Sequence, residues 1–112
     1  MRVLRQWDTV LIPYPTADNP HYVVLLSPDD MTTNTDFREL NGLVCSTLRP
    51  PDRSVRPHEV FLDPADGFEN KTACRCHVIV DFQREKILLD HSTVSSVRQL
   101  AIKRKLREIF RL

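Results

Sequence analysis

The prolines of this chain restrict its fold more than any other feature, because proline cannot donate a hydrogen bond to a sheet and fixes its own φ angle. Eight prolines fall between short apolar and β-branched runs in a chain of 112 residues, and glycine occurs only twice. Strands are predicted at residues 7–12, 21–27, 42–47, 60–62 and 72–80, with residues 81–89 as a further candidate. Short strands separated by turns rich in Pro and Asp predict a small β barrel or sandwich.

The central part of the chain contains one continuous apolar run and two predicted loops. Residues 22–26 (YVVLL) predict a strand that is buried on both faces. Residues 13–20 (PYPTADNP) are rich in Pro, Asp and Asn and are predicted to form a loop. Residues 28–41 form a longer predicted loop, with one helical turn near residues 36–40, and loops of this length are often functional.

The one clear helix follows Ser95 and Ser96, either of which suits the N-cap position. No proline or glycine interrupts the chain after them. One apolar face of this helix is predicted to pack on the barrel, and a second apolar group is predicted to meet another surface. The first face comprises Ile102, Leu106, Ile109 and Phe110, and the second group comprises Val97, Leu100 and Ala101.

Charge is unevenly distributed along the chain, although the formal net charge is only +1. Residues 97–112 contain six basic side chains and one acidic side chain, whereas the first 96 residues carry a net negative charge. A solvated helix face is the favoured interpretation of most of these basic residues. Clustered basic residues also attract polyanions, so a contact with nucleic acid or an acidic protein segment is the alternative.

Several classes of protein are excluded by what the chain lacks. No apolar run approaches the roughly 18 residues of a membrane span, and residues 1–5 (MRVLR) lack a signal-peptide core. Three cysteines are an odd number, which argues against a secreted disulfide framework. Phosphate-binding glycine loops and the G-x-S-x-G elbow are absent. The chain is therefore predicted to be one cytoplasmic domain over residues 1–112, without membrane association.

A zinc site is one interpretation of the cysteines. Cys74, Cys76 and His77 lie together in the sequence, and Cys45 or His58 would be a further ligand. Structural zinc sites usually present paired C-x2-4-C or H-x3-5-H spacings, whereas this chain has one irregular cluster. Strand alternation also places His77 on the opposite face from both neighbouring cysteines. Buried cysteines in the barrel wall are the favoured interpretation, and no metal or other cofactor is expected.

The stretch from residue 72 to residue 77 contains the residues best suited to chemistry on a phosphate. In a strand, Arg75 and His77 share one face about 7 Å apart, roughly the reach of one phosphodiester. Histidine exchanges protons near neutral pH, and a guanidinium stabilises the charge that develops on the phosphate oxygens. An exposed polar strand face is the alternative, and the spacing alone favours that alternative.

In the order and spacing of its motifs, the chain resembles the MazF/PemK/Kid family of bacterial toxins over nearly its whole length. Residues 6–13 (QWDTVLIP) are similar to the first strand of that family, and residues 22–30 (YVVLLSPDD) are similar to the second. Residues 43–47 (LVCST) lie where the family has an apolar strand ending in Ser or Thr. Gly67-Phe68-Glu69 followed by Thr72 is similar to the approach to the next strand, and the closing helix is also in the family's place.

The resemblance implies an SH3-like small β barrel with a C-terminal helix, mainly β in class and usually a homodimer. Members of the family are typically metal-independent endoribonucleases that cut single-stranded RNA, including mRNA, at short sequences. A cognate antitoxin inactivates them by laying a disordered acidic tail across the RNA groove. In the implied mechanism, the 2′-hydroxyl of the RNA attacks the adjacent phosphorus, which leaves a 2′,3′-cyclic phosphate and a 5′-hydroxyl.

The resemblance also implies a set of catalytic residues. Arg75 falls where some members have a catalytic arginine, and His77 falls where those members have an acidic acid/base residue. Thr47 matches the Ser or Thr that other members use near the scissile phosphate. His21 stands where most members have an arginine. The hypothesis is that Arg75 holds the phosphate and Thr47 positions it, while the two histidines share the proton transfers.

The residues implied to bind RNA are Trp7, Asn19, Tyr22 and Thr72. Trp7 replaces a glycine of the family's first strand, and its ring would offer a surface for base stacking. A hydrophobic residue at the barrel edge is the alternative interpretation of Trp7. Tyr22 replaces the proline that follows the family's arginine.

A binding protein without catalysis is the second hypothesis. The related CcdB toxins share the fold and inhibit DNA gyrase through their C-terminal helix, and DNA binding is predicted with this hypothesis. Residues 109–112 (IFRL) show no likeness to that gyrase-contacting end. An inactive barrel that binds only RNA or an acidic antitoxin would also explain His21 in place of the family's arginine.

Overall fold

Six antiparallel strands form one curled sheet in the computed structural model, which describes residues 2–49, 51 and 54–112. The strands are β1 (Asp8–Thr16), β2 (Asn19–Leu25), β3 (Glu39–Thr47), β4 (Glu59–Leu62), β5 (Thr72–Gln83) and β6 (Leu89–Thr93), in the spatial order β4-β5-β3-β2-β1-β6. The helices are α1 (Asp29–Thr32) and α2 (Ser96–Phe110), with 3-10 turns at Pro64–Asp66 and Arg84–Lys86. This curled half-barrel with a C-terminal helix confirms the predicted mainly β class.

The predicted loop at residues 13–20 is wrong, because most of this segment forms a β-hairpin. β1 continues to Thr16 and β2 begins at Asn19, so only a two-residue turn separates them. The prolines are tolerated because β6 pairs with β1 only as far as Leu11 in the described ladder. Beyond that residue one edge of β1 needs no hydrogen-bond donors, and its register with β2 shifts after Ile12.

The helical turn predicted near residues 36–40 is also wrong, because the turn of this connection is α1. Pro28 precedes that helix, and Asp29 and Asp30 occupy its first turn, where negative charge is favourable. Strand β3 already begins at Glu39, which pairs with Gln83 of β5. Pairing with the long strand β5 therefore places Glu39 and Leu40 in the sheet and not in a helical turn.

The predicted end of the fifth strand and the candidate strand at residues 81–89 also need correction. β5 runs without interruption to Gln83, because residues 81–83 pair with the start of β3. A 3-10 turn at Arg84–Lys86 follows, and β6 begins only at Leu89. β6 pairs with β1 at the opposite edge of the sheet from β4, so it brings the end of the chain back to the first strand.

The core lies on both faces of the sheet and forms two clusters. Strand β2 supplies both, because Val24 packs in one cluster while Val23 and Leu25 pack in the other. This confirms the prediction that residues 22–26 form a strand buried on both faces. The first cluster, which also contains the three cysteines and Phe68, is covered by α2.

Helix α2 packs on this first cluster through Ile102, which is fully buried, together with the partly buried Ala101, Leu106 and Ile109. Two expectations for this helix are wrong. Phe110 was expected in the packed face but is 45% exposed, because it lies in the last helical turn. Ala101 was assigned to a second surface but joins the core, while Val97 and Leu100 are 74% and 55% exposed.

Ser95 is the N-cap of α2, as one of the two predicted alternatives. Its side chain makes no capping hydrogen bond; instead its backbone N–H donates to Asp66 Oδ1 at 2.8 Å. Within the described residues, no helix is long and apolar enough to cross a membrane.

Removing the side chain of Ile102 should destabilise the fold strongly. Ile102→Ala would leave a cavity between α2 and the sheet and should lower the free energy of unfolding by about 2–4 kcal/mol. The matched control, Val97→Ala on the exposed side of the same helix, should change it by less than about 0.5 kcal/mol. Urea unfolding followed by circular dichroism measures both, and equal effects would contradict the observed packing of the helix.

Candidate active site

Two cavities lie side by side near the end of β3, and Thr47 lines both of them. The first, here called the histidine cavity, has a volume of about 400 Å³. It is lined by Tyr22, Cys45, Thr47, Gly67, Phe68, Glu69, Asn70, Thr72 and His91. The second, here called the arginine cavity, has a volume of about 350 Å³. It is lined by Ser46, Thr47, Leu48, Arg49, Ser54, Arg56, Glu59, Ala73 and Arg75.

The sheet brings the two threonines of the histidine cavity together. Thr47 at the end of β3 pairs directly with Thr72 at the start of β5. Thr72 Oγ1 donates to the carbonyl oxygen of Asn70 at 2.9 Å, which ties the strand to the loop that precedes it. The predicted residues Thr47, Thr72 and Tyr22 therefore lie in one cavity.

The other wall of the histidine cavity is the segment that follows the 3-10 turn at Pro64–Asp66. Asp63 caps this turn by accepting a hydrogen bond from the N–H of Ala65 at 2.9 Å. Gly67 ends the turn with a φ of 89°, in the left-handed region that favours glycine. A Cβ atom at this position would also lie 2.5 Å from Ser92 Oγ, so glycine is required for both reasons.

His91 was not predicted from the sequence, and both ring contacts and hydrogen bonds hold it in this cavity. Its centroid lies 4.3 Å from that of Tyr22 and 4.9 Å from that of Phe68. Its Nδ1 lies 2.9 Å from Thr9 Oγ1 and 3.1 Å from Ser92 Oγ. Burial lowers the pKa of His91, Arg2 lowers it further, and Asp90 opposes the shift, so the neutral imidazole is favoured.

Among the residues that the structure describes, three guanidinium groups and one carboxylate line the arginine cavity, so this lining is positively charged. Arg75 on β5 is paired in register with Glu59 on β4 and is half-buried. Glu59 Oε1 accepts a hydrogen bond from the backbone N–H of Arg56 at 2.9 Å. A concave surface with this charge attracts anions, and arginine is well suited to binding phosphate.

The predicted histidines line neither cavity. His77 is exposed on β5, and its ring centroid lies 5.2 Å from that of His58. His21 turns to the face of β2 opposite Tyr22, and its Nδ1 donates to the carbonyl oxygen of Tyr14 at 2.7 Å and to that of Asn19 at 3.1 Å. The predicted RNA-binding residue Asn19 therefore also lies at the hairpin, outside both cavities.

Trp7 lies in the first core cluster with only 9% of its surface exposed. The Lys103 ammonium lies 5.7 Å from the centroid of its ring. This placement matches the alternative interpretation of Trp7 as a hydrophobic residue of the barrel. A role for Trp7 in base stacking stays a prediction, and we do not include it in the proposal below.

The three cysteines are reduced and buried, as the favoured interpretation predicted. Hydrogen bonding with the thiols of Cys45 and Cys76 raises the pKa of Cys74, and hydrogen bonding with Cys74 lowers the pKa of Cys76. His77 points away from this group. Within the described ranges, no group of three or more His, Cys, Asp or Glu residues is arranged to hold a metal ion.

The pKa of His91 should make stability depend on pH. Because folding lowers this pKa, the unfolded chain binds the proton more readily. The contribution of neutral His91 is fully present above the ordinary histidine pKa of about 6.5 and is lost as the pH falls below it. Urea unfolding at pH 7.5 and 5.5 should show a smaller acid-induced loss in His91→Asn than in wild type. Equal losses in the two proteins would contradict the shift.

No family model and no curated protein matches this sequence, whereas several solved structures match its fold. An endoribonuclease in complex with its cognate antitoxin, from a mycobacterial species, is 12% identical with a TM-score of 0.75, over 100% of this chain and 97% of that chain. The Mycobacterium tuberculosis toxin MazF-mt6 is 11% identical with a TM-score of 0.76, over 94% and 97%. The MazE–MazF structure from Deinococcus radiodurans is 12% identical with a TM-score of 0.73, over 98% and 97%. The chain therefore has the fold of the MazF toxins, as the resemblance in its motifs implied.

Proposed function

We propose that this protein is the toxin of a toxin–antitoxin system and acts as a metal-independent endoribonuclease on single-stranded RNA. The observation that carries the proposal is the pair of adjoining cavities on a MazF-type fold. One cavity is lined by aromatic rings and hydroxyl groups, and its neighbour is lined by arginines. A ribonucleotide needs both kinds of surface, because its base stacks on rings while its phosphate binds cations.

The predicted residues divide between these two tasks. Arg75 holds a phosphate in the arginine cavity, with Arg49 and Arg56 beside it. Thr47 positions the scissile phosphate, because it is the residue shared by both cavities. Tyr22 and Thr72 contact the nucleotide in the histidine cavity. We leave His77 and His21 out of this arrangement, because neither lines either cavity.

The reaction proposed for this site needs no metal ion. The ribose 2′-hydroxyl attacks the adjacent phosphorus, the bond to the 5′-oxygen breaks, and the products are a 2′,3′-cyclic phosphate and a 5′-hydroxyl. Negative charge builds up on the phosphate oxygens during this step, and a guanidinium such as that of Arg75 stabilises it. A base must also take the 2′-hydroxyl proton, and a proton must reach the leaving 5′-oxygen.

A cognate antitoxin, a homodimer and a cytoplasmic mRNA substrate belong to the same proposal. One mycobacterial endoribonuclease of this fold was solved with its antitoxin, and the Deinococcus structure is a MazE–MazF complex. An acidic antitoxin tail would find complementary charge in the arginine cavity and on the exposed basic residues of α2, such as Lys103, Arg104 and Arg107. DNA binding stays a prediction of the second hypothesis and is not part of this proposal.

Cleavage of RNA in EDTA tests the proposal directly. The purified protein, incubated with a mixed-sequence RNA, should produce cuts at a short sequence that leave 2′,3′-cyclic phosphate and 5′-hydroxyl ends. Arg75→Ala should reduce the cleavage rate about 100-fold or more, because it removes a cation from the reacting phosphate. Arg38→Ala, at the opposite end of β3, is the matched control and should cleave like wild type.

Three results would contradict the proposal. Intact RNA from a folded wild-type protein would favour the non-catalytic hypothesis, and gyrase pull-down or RNA binding without cleavage would then identify the target class. Cleavage that leaves a 5′-phosphate would rule out attack by the 2′-hydroxyl, and cleavage that requires a divalent ion would rule out a metal-independent reaction.

Salt should weaken RNA binding through the arginine cavity. Each phosphate contact to single-stranded nucleic acid contributes about 0.7 to the slope of log affinity against log salt. Arg56→Ala should therefore lower the magnitude of this slope by about 0.7, while the Arg38→Ala control leaves it unchanged. Fluorescence anisotropy with a labelled RNA at several NaCl concentrations measures the slope. An affinity that does not change with salt would exclude the arginine cavity as the phosphate site.

A further inference from the structure

His91 occupies an irregular position in the sheet. Thr9 pairs with Ser92 and Val10 pairs with Asp90, so His91 is an extra residue that has no partner on β1. Such a β-bulge interrupts the alternation of side chains and redirects the extra one. Here the redirected side chain lines the histidine cavity, in contact with the rings of both Tyr22 and Phe68.

The hydrogen bonds around Nδ1 determine which nitrogen of His91 carries the hydrogen. Ser92 Oγ donates its single hydrogen to the carbonyl oxygen of Asp66 at 2.7 Å. It is therefore an acceptor for the hydroxyl of Thr9, whose Oγ1 lies 2.8 Å away and also lies 3.3 Å from the second acceptor of this residue, the Ser92 carbonyl oxygen. Thr9 Oγ1 then accepts from the Ser92 backbone N–H at 3.0 Å and from His91 Nδ1 at 2.9 Å.

The alternative places the hydrogen on Nε2 and makes Thr9 the donor to Nδ1. That arrangement loses the bond from Thr9 to Ser92 Oγ and gains none, so it satisfies one hydrogen bond fewer. It also leaves the hydrogen on Nε2 without an acceptor among the described residues, and an unsatisfied donor is costly in a half-buried ring. Nδ1 therefore carries the hydrogen, and Nε2 keeps a lone pair and makes no hydrogen bond to the part of the chain that the structure describes.

We propose that His91 is the general base of the reaction put forward above, with its Nε2 taking the proton of the ribose 2′-hydroxyl. The inference rests on the proposed endoribonuclease function. As the proton moves to Nε2, the 2′-oxygen forms a bond to phosphorus and the bond from phosphorus to the 5′-oxygen breaks. The leaving 5′-oxygen takes a proton from water, and the imidazolium returns its proton to the solvent.

The surroundings of His91 favour this role at neutral pH. Desolvation by the adjacent rings disfavours the imidazolium before substrate binds, so the form able to accept a proton predominates. The bond from Nδ1 to Thr9 fixes the plane of the ring, and the contacts with Tyr22 and Phe68 hold its position. The ionisable groups that face or influence the ring are Arg2, Tyr22, Cys45, Glu69 and Asp90.

Glu69 brings a carboxylate to the lining of the histidine cavity and is the alternative candidate for the base. Its side chain is exposed, and it makes no hydrogen bond or ion pair with the described residues. A catalytic base must be held in place relative to the proton that it takes. His91 meets this requirement and Glu69 does not, so Glu69→Gln should lower kcat far less than His91→Asn does.

The main test compares His91→Asn with His58→Asn. Asparagine keeps an N–H that is able to reach Thr9 and lacks the nitrogen that takes the proton, whereas His58 is exposed and lines neither cavity. The substrate is a short RNA spanning a cut site mapped with the wild-type protein. His91→Asn should lower kcat by about 100-fold or more. Its affinity for the same RNA with a 2′-deoxy group at the cut site should stay within about threefold, and His58→Asn should match wild type.

A second measurement on the wild-type protein does not depend on how the variant folds. Nitrogen-15 NMR of the imidazoles should show hydrogen on Nδ1 of His91 and none on Nε2 at neutral pH. The rate of cleavage should fall on acidification with an apparent pKa below about 6.5, and residual activity of His91→Asn should lack this limb. A hydrogen found on Nε2 would overturn the inference.

The outcomes separate this inference from the proposed function. Wild-type protein that cuts RNA, together with a fully active His91→Asn, overturns only the role of His91. Loss of activity in Glu69→Gln with retention in His91→Asn also overturns it and assigns the base to the carboxylate. Wild-type protein that cuts no RNA overturns the proposed function, and the role of His91 in cleavage is then overturned with it.

Discussion

The buried carboxylate of Asp66 holds together the parts of the structure on which the candidate site depends. It is fully buried, and its oxygens accept the backbone N–H of Asp63 at 3.1 Å and that of Ser95 at 2.8 Å. The Arg98 guanidinium lies 3.7 Å away and balances its charge. A buried carboxylate is stable only with such partners. The Asp66 side chain thus joins the 3-10 turn to the start of α2. The Asp66 backbone carbonyl also accepts a hydrogen bond from the hydroxyl of Ser92, the residue next to His91.

The sequence was sufficient for those parts of the fold that depend on local pattern. The apolar run at residues 22–26 and the uninterrupted helix after Ser95 follow directly from hydrophobic periodicity and the absence of breakers. The hairpin at residues 13–20 could not be predicted in this way. A proline destabilises a strand only where a neighbouring strand would otherwise accept a hydrogen bond from that position. That neighbour, β6, lies about 70 residues further along the chain and stops short of the prolines.

The residues of the candidate site could be predicted only where regular strand pairing determines their positions. Thr47 and Thr72 each end or begin a strand, and their register brings them together. His21 precedes Tyr22 in the same strand, so alternation separates it from the cavity that the tyrosine lines. His91 was missed because its position depends on a bulge, and a bulge breaks the alternation from which the faces of a strand are predicted.

The separation of arginines from the histidine has a physical consequence for the proposed chemistry. A guanidinium beside His91 would hold its imidazole neutral but would also pull the phosphate into the ring-lined cavity, where the base and ribose need the space. Under the proposed function, Arg75 in the neighbouring cavity would bind the phosphate without filling that space. Thr47 lines both cavities, so in the proposed reaction one nucleotide bound at this boundary would place its phosphate near the arginines and its 2′-hydroxyl near His91.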